Sequence, residues 1–270
     1  MMATGVKKSE HDALVSTAHE MAEAARAAIL PHFRRAELAA ENKSQDAFDP
    51  VTVADRAAEQ AMRDVLARRR PDDGILGEEH GTVAGSSGLT WVLDPIDGTR
   101  GFISGTPTWG VLIAVGDENG PEFGLIDQPY IGERFVGGFG LAQVDGPLGR
   151  APLAVRGTRD LAAATILTTF PEVGTPQEGA AFHRVAERCK LTRYGMDCYG
   201  YALLAAGQVD LVIEAGLQAY DIQAPIAVIQ AAGGIVTNWQ GDPAHSGGTA
   251  LAAATPELHA AALEILNAGA

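Results

Sequence analysis

Residues 91–99 contain the stretch that decides how the chain folds, Trp91-Val92-Leu93-Asp94-Pro95-Ile96-Asp97-Gly98-Thr99. Its apolar first part is typical of a buried strand, and its second part brings two carboxylates, a glycine and a hydroxyl to the strand's end. Asp94 and Asp97 are three positions apart with the stiff Pro95 between them, so both side chains can converge on one point. Two carboxylates held so near to each other repel unless a cation lies between them. The stretch therefore predicts a metal site. An ordinary turn is the alternative interpretation, because Asp-Pro and Asp-Gly are common turn dipeptides.

Other acidic residues lie near the boundaries of predicted elements. Glu78 and Glu79 follow a short predicted strand at 75–76, and Asp221 follows the apolar run that ends at Glu214. Asp55 is the third residue after Thr52, so it can also be explained as the second half of a helix cap. Gly98 and Thr99 are predicted to begin a helix or a tight turn, whose free backbone N–H groups can hold a phosphate.

Three motifs occur in a fixed order and spacing: Gly77-Glu78-Glu79, residues 94–99, and Tyr220-Asp221. These motifs, together with Asp55, resemble those of the inositol monophosphatase family of lithium-sensitive, magnesium-dependent phosphatases. The resemblance covers nearly the whole chain. Several ordered motifs are far more specific than any one of them. The resemblance implies an α/β chain folded as a layered αβαβα sandwich, with an α+β N-terminal half and an α/β C-terminal half. It also implies a homodimer.

The resemblance assigns roles to individual residues. The implied metal ligands are the side chains of Glu78, Asp94, Asp97 and Asp221 and the backbone carbonyl of Ile96. The implied catalytic residues are Glu78 together with Asp55 and Thr99, the last two polarising the attacking water. The amides of Gly98 and Thr99 would hold the phosphate, and Lys43 matches a loop lysine of the family.

The residue types themselves indicate the cofactor. Carboxylate and carbonyl oxygens, with no His or Cys cluster among them, favour Mg²⁺ or Mn²⁺ over zinc. We expect two or three Mg²⁺ ions, for which Mn²⁺ can substitute. Such ions polarise a phosphate and lower the pKa of bound water. The prediction is a phosphomonoesterase that uses direct attack by a metal-activated water.

Two other classes of protein share some of these features. The haloacid dehalogenase superfamily also ends a strand in an acidic motif, but it needs one residue between its two aspartates, whereas Asp94 and Asp97 are separated by two. The other alternative is a metal-binding regulatory protein that keeps the fold without turnover. The intact set of acidic residues argues against it.

The expected substrate is L-histidinol phosphate. Residues 97–105 and 195–199 resemble the histidinol-phosphate phosphatase branch of the family, and Asp197 and Glu214 occupy positions where the family contacts the leaving group. Carboxylates there suit the amine and imidazole of histidinol. They would also suit a polyol, so inositol 1-phosphate and other small phosphate monoesters are the second choice. Asp197 alone can also be explained as a helix cap.

Substrates with a second phosphate are less favoured, because they need additional cationic contacts. Arg100, Arg193 and Lys190 are the candidates for such contacts, and Arg100 is included among the predicted substrate-binding residues.

Composition limits the partners and the location. The net charge is −14 and the pI about 4.8, which argues against nucleic acid and anionic membranes as partners and leaves a small-molecule phosphate ester. The N-terminus does not resemble a signal peptide, and no apolar run approaches the ~18 residues of a membrane span. Cys189 and Cys198 are predicted to be free thiols of a cytoplasmic protein.

The order of predicted elements suggests two halves. Helices are predicted from Ser9 to Pro31 and from Thr52 onward, and they are followed by consecutive strands that indicate an antiparallel or mixed sheet. Residues 141–156, rich in Gly and Pro, are predicted to link the halves, since helices and strands alternate beyond them. We therefore expect residues 1–145 to form a domain with most of the metal ligands, and residues 146–270 to supply Asp221 and the substrate contacts.

Overall fold

The computed structural model describes residues 8–35, 40–42 and 50–268. Its α-helices are α1 (Lys8–Ile29), α2 (Val53–Arg69), α3 (Thr99–Ser104), α4 (Pro176–Ala186), α5 (Asp197–Ala205), α6 (Ala219–Ala231) and α7 (Pro256–Asn267). The strands of the first half are β1 (Ala40–Asn42), β2 (Pro50–Thr52), β3 (Gly74–Gly77), β4 (Gly81–Val83), β5 (Thr90–Asp97), β6 (Gly110–Asp117), β7 (Gly120–Gln128), β8 (Glu133–Gly138), β9 (Leu141–Gly146) and β10 (Gly149–Pro152). Those of the second half are β11 (Thr165–Thr168), β12 (Leu191–Tyr194), β13 (Leu211–Leu217), β14 (Ile235–Thr237) and β15 (Gly248–Ala253).

Two mixed sheets carry the fold. The first has the order β10-β9-β8-β7-β6-β5-β3-β4, in which β3 and β5 are parallel and the other neighbours are antiparallel. The second has the order β12-β11-β13-β15-β14, with β12, β11 and β13 parallel to one another. A separate two-stranded sheet joins β1 and β2.

Alternating side chains on the strands bury both faces of the first sheet. On β5, Trp91 and Leu93 pack with α1 and α2, whereas Val92 points to the opposite side and packs with α5 and α6. The outer face of the second sheet packs against α4 and α7. The layers are therefore helix, sheet, helix, sheet and helix, which confirms the predicted αβαβα sandwich.

The predicted link between the halves is wrong in its first part. Residues 141–152 contain the antiparallel hairpin β9–β10, which extends the first sheet to its edge. Glycines in the turn and Pro152 at the end of an edge strand suit such a hairpin, so their abundance did not mark a linker. The small-residue stretch 81–88, whose composition favours a loop, likewise begins with a strand, β4, paired with β3. The division into domains 1–145 and 146–270 stays a prediction.

Candidate active site

The end of β5 is distorted where its two aspartates lie. Asp94 is opposite Leu112 of β6 and Asp97 is opposite Gly110, so the register shifts across the two residues between the aspartates. Pro95 lacks an N–H group and fits such an irregularity, while the Ile96 N–H donates to Asp94 Oδ1 at 3.1 Å. The distortion brings the carboxylates of Asp94 and Asp97 toward one point.

Glu78 reaches the same point because of strand direction. β3 and β5 are parallel, with Gly77 opposite Leu93, so their carboxyl ends lie at the same edge of the sheet. The Glu78 N–H extends this pairing by donating to Leu93 O at 3.2 Å. The side chain of Glu78 hydrogen-bonds that of Asp94.

Asp221 comes from the opposite direction, in the first turn of α6. Its Oδ2 accepts the Gln218 N–H at 2.7 Å and so caps the helix. Oxygen atoms of Asp94, Asp97 and Asp221 all lie within 4.8 Å of one another. The first sheet and the central helix layer therefore supply one acidic cluster.

Burial and the charges of neighbouring carboxylates make Asp94 and Asp97 hard to ionise. Burial, then the charges of Glu78, Asp97 and Asp221, raise the pKa of Asp94 well above its ordinary value. Burial also raises the pKa of Asp97, against the opposing effect of the Cys198 N–H that donates to its Oδ2 at 2.6 Å. Divalent cations would relieve this repulsion, and an all-oxygen donor set suits Mg²⁺ or Mn²⁺. The residues present therefore fit the predicted metals.

Asp55 completes a helix cap and also lies beside the acidic cluster. Its Oδ2 accepts the N–H and the hydroxyl of Thr52, at 2.8 and 2.5 Å, and completes the capping box of α2. Its Oδ1 lies 3.5 Å from the Thr99 hydroxyl, beside the cluster. The Thr99 hydroxyl is nearer to Ile96 O, at 3.1 Å, and it has one proton to donate. Ile96, Gly98 and Thr99 line the same pocket as the acidic cluster.

The pocket has a volume of about 570 Å³, and its far wall comes from the second half of the chain. Asp197 begins α5 in a left-handed conformation, with φ of +47°, which is unusual for a residue other than glycine. Its Oδ2 accepts the Thr108 hydroxyl at 2.7 Å. The N-cap of α5 is Met196, so the interpretation of Asp197 as the cap of this helix is wrong.

Glu214 is the second carboxylate of the far wall, 8% exposed. It accepts the Thr168 hydroxyl at 3.0 Å, and the N–H and hydroxyl of Thr169 at 2.6 and 2.9 Å. Burial nevertheless raises its pKa to about 7, because these three donors only partly offset the loss of water. Arg100 lies at the pocket with its guanidinium over the ring of Phe170, 4.9 Å from the centroid.

Three further sets of residues were singled out from the sequence, and the structure places them differently. Lys43 lies outside the described residues. Arg193 and Lys190 are not among the residues that line the pocket. Cys189 and Cys198 are free thiols, as predicted.

Sequence reasoning missed several pocket residues, namely Thr169, Phe170, Tyr201 and Gln218. A signal existed for Tyr201, which is four positions after Asp197 on a predicted helix and so shares its face. The sequence predicts a strand at 165–169, and Thr169 is its last residue, at the end that reaches the pocket. Phe170 and Gln218 carried no signal of their own.

Comparison with known proteins identifies the family. The model of the inositol monophosphatase family matches residues 10–269 of the chain. The chain belongs to the inositol monophosphatase family. It is therefore a phosphatase of that family, a group whose members depend on metal, and it acts on phosphate monoesters.

Individual members show two named activities. A histidinol-phosphatase from Streptomyces coelicolor is 35% identical over 258 residues, covering 93% of this chain and 95% of the relative. The chloroplastic bifunctional phosphatase IMPL2 of Arabidopsis thaliana is 38% identical over 270 residues, covering 96% and 76%. The solved structure of an inositol monophosphatase from Zymomonas mobilis superposes with a TM-score of 0.84 at 38% identity, covering 95% and 98%.

Proposed function

We propose that the protein hydrolyses L-histidinol phosphate to L-histidinol and phosphate, with Mg²⁺ bound at the acidic cluster. The observation that carries this proposal is a second pair of carboxylates, the half-buried Asp197 and the buried Glu214, across the pocket from the cluster. Relatives named histidinol-phosphatase support it independently.

The charge of the pocket favours a substrate with a cationic leaving group. Its described lining contains six carboxylates and one cationic side chain, Arg100. Four carboxylates, those of Glu78, Asp94, Asp97 and Asp221, would be neutralised by the metals, and Asp197 and Glu214 would not. A buried carboxylate that is not paired is costly, so these two favour a partner that is positive or rich in hydrogen-bond donors. The amine and imidazole of histidinol meet that requirement.

The chain's own residues divide the chemistry between them. Bound Mg²⁺ would supply positive charge that polarises the phosphate and acidifies water. The N–H groups of Gly98 and Thr99, at the start of α3, would donate to the phosphate oxygens. The Asp55 carboxylate, fixed by its hydrogen bonds to Thr52, would accept a hydrogen bond from the Thr99 hydroxyl. The Thr99 oxygen could then accept a proton from the attacking water and pass its own proton to Asp55.

Inositol 1-phosphate and other small monoesters are the second candidate. Two carboxylates can also accept hydrogen bonds from polyol hydroxyls, and the similar structure from Zymomonas mobilis is that of an inositol monophosphatase. Bisphosphates are disfavoured because Arg100 is the one Lys or Arg among the described lining residues.

A panel of small phosphate esters with wild-type and Asp197→Asn protein tests the proposal. We expect wild-type protein with Mg²⁺ to prefer histidinol phosphate. Loss of a hydrogen bond to a charged group costs about 1.5–3 kcal/mol, so Asp197→Asn should lower kcat/KM for histidinol phosphate about 10- to 100-fold. An aryl phosphate, whose leaving group has no cation, should be affected much less.

The control is Glu133→Gln, a carboxylate that contacts the same helix through the Tyr199 hydroxyl at 2.8 Å but lies outside the pocket lining. It should leave both substrates unaffected. Equal losses on both esters in Asp197→Asn would remove the substrate assignment. A wild-type preference for inositol 1-phosphate would select the second candidate, and no turnover of any ester would select the regulatory protein.

The oligomeric state and the location of the protein belong to the proposal as well. A homodimer and a cytoplasmic location stay predictions. Among the described helices, none is long and apolar enough to cross a membrane.

A further inference from the structure

A buried carboxylate outside the pocket lining, Glu59, lies one helical turn after Asp55 on α2. The two side chains are four residues apart, so they share one face of the helix, and both residues are 0% exposed. Asp55 faces Thr99. Glu59 points instead at the segment that follows β3, which carries Glu78.

Glu59 accepts hydrogen bonds from the backbone on the C-terminal side of Glu78. The N–H of Glu79 donates to Glu59 Oε2 at 2.6 Å, and the N–H of His80 donates to Oε1 at 3.1 Å. The Arg63 guanidinium donates to Oε1 at 2.7 Å and balances the charge of the carboxylate. The turn after Glu78 is therefore built around a side chain that accepts three hydrogen bonds and is paired with Arg63.

The same carboxylate contacts the backbone on the N-terminal side of Glu78. A Cβ atom placed on Gly77 would overlap Glu59 Oε1, so the chain can approach this closely because residue 77 is a glycine. Arg63 extends the contact by donating from Nη2 to Gly81 O. Residues 77–81 are thus held on both sides of Glu78 by the Glu59–Arg63 pair.

We propose that Glu59, through its pair with Arg63, is a positioning residue that fixes the backbone of Glu78 so that this side chain is presented as a metal ligand. The inference rests on the proposed function, because it assumes that Glu78 binds metal. A ligand already held in place loses little conformational freedom when the metal binds, and the groups that orient ligands typically change metal affinity about 10- to 100-fold when removed.

The turn requires the acceptor oxygens of Glu59 rather than the charge of the ion pair as such. Replacing a buried ion pair by well-packed apolar side chains is often neutral or stabilising. Apolar side chains here would leave the N–H groups of Glu79 and His80 without the acceptor that now satisfies them next to the cluster. The turn at residues 78–80 therefore needs the Glu59 carboxylate as its hydrogen-bond acceptor.

The test measures Mn²⁺ binding by the full-length protein, using electron paramagnetic resonance of free Mn²⁺ and without any substrate. Glu59→Gln should raise the dissociation constant about 10- to 100-fold, since an amide cannot accept from both N–H groups and from Arg63. Glu78→Gln should raise it as well. Because Glu59 acts through Glu78, the double variant should bind Mn²⁺ no more weakly than Glu78→Gln alone.

A matched control is Asp73→Asn. Asp73 is also a buried carboxylate of the first half, 6% exposed, paired with Arg70 at 2.6 Å and accepting the Trp91 indole N–H at 2.9 Å. This variant should lower the melting temperature and leave Mn²⁺ affinity unchanged. Arg63→Lys is the milder second variant, in case Glu59→Gln does not fold, and it should weaken Mn²⁺ binding several-fold because lysine cannot reach both Glu59 and Gly81 O.

Each failure has its own meaning. Wild-type Mn²⁺ affinity in folded Glu59→Gln or Arg63→Lys would overturn the positioning role while leaving the proposed phosphatase intact. The positioning role would also be overturned if the increases in the Mn²⁺ dissociation constant caused by Glu59→Gln and Glu78→Gln multiply in the double variant. Unchanged Mn²⁺ binding in Glu78→Gln would overturn the metal role of Glu78, and the inference with it.

Discussion

Glu214 should make the stability of the metal-free protein depend on pH in a way that Glu214→Gln removes. Burial raises the pKa of Glu214 from 4.5 to about 7, although Thr168 and Thr169 donate to its carboxylate. The folded protein therefore holds the Glu214 proton more tightly than the unfolded chain does. This contribution to stability is complete below pH 4.5 and is lost as pH rises to about 7.

The size of the effect follows from the two pKa values. At about 1.36 kcal/mol for each pH unit between them, the full contribution is about 3 kcal/mol. Between pH 5 and pH 8 the part that is lost is about 2.5 kcal/mol. Gln resembles the protonated acid, and the Thr168 hydroxyl can rotate to accept from its amide. The two proteins should therefore have similar stability at pH 5, and the variant should be more stable by about 2.5 kcal/mol at pH 8.

Urea denaturation in the presence of a chelator, at several pH values from 5 to 8, measures this difference. The other carboxylates of the pocket are present in both proteins, so most of their contribution cancels when the two free energies of unfolding are subtracted. A difference that is constant across this pH range would refute the argument, because it would mean that Glu214 ionises in the folded protein as easily as in water.

Two further variants test single atoms of the site. Asp94→Asn should abolish turnover of every phosphate ester in a steady-state assay, since Asp94 is a proposed metal ligand at the centre of the acidic cluster. Turnover at the wild-type rate would contradict that role. Tyr201→Phe should raise the melting temperature of the metal-free protein, because the Tyr201 hydroxyl is buried without a hydrogen-bond partner among the described residues and such a group costs about 1–3 kcal/mol. A lower melting temperature in calorimetry would show that this hydroxyl has a stabilising partner.

The parts of the structure that local chemistry determines could be predicted from the sequence. The cap of α2 by Thr52 and Asp55 and the strand that ends at Asp94 are examples, since each depends on residues a few positions apart. β15 was missed because Gly248–Ala253 is mostly alanine and threonine, and its strand conformation depends on pairing with β13 and β14. β12 was missed as well, an exposed edge strand with no clear alternation.

The same distinction applies to the site. The acidic cluster could be predicted because its residues occur in recognisable motifs. The contacts that hold it could not, because they join distant positions, as Thr108 joins Asp197 and Glu59 joins the backbone of Glu79. Charge and spacing identify the candidate ligands, whereas the groups around them depend on how helices and sheets pack.

The position of α6 has a consequence for synthesis of the protein. This helix lies between the two sheets and carries Asp221 in its first turn, whereas the other cluster residues come from the first sheet. A nascent polypeptide that has emerged only as far as β10 already contains Glu78, Asp94 and Asp97 but lacks the fourth carboxylate and the layer that delivers it. With Asp221 as a metal ligand, as proposed, the ribosome must complete most of the chain before the first ester can be cleaved.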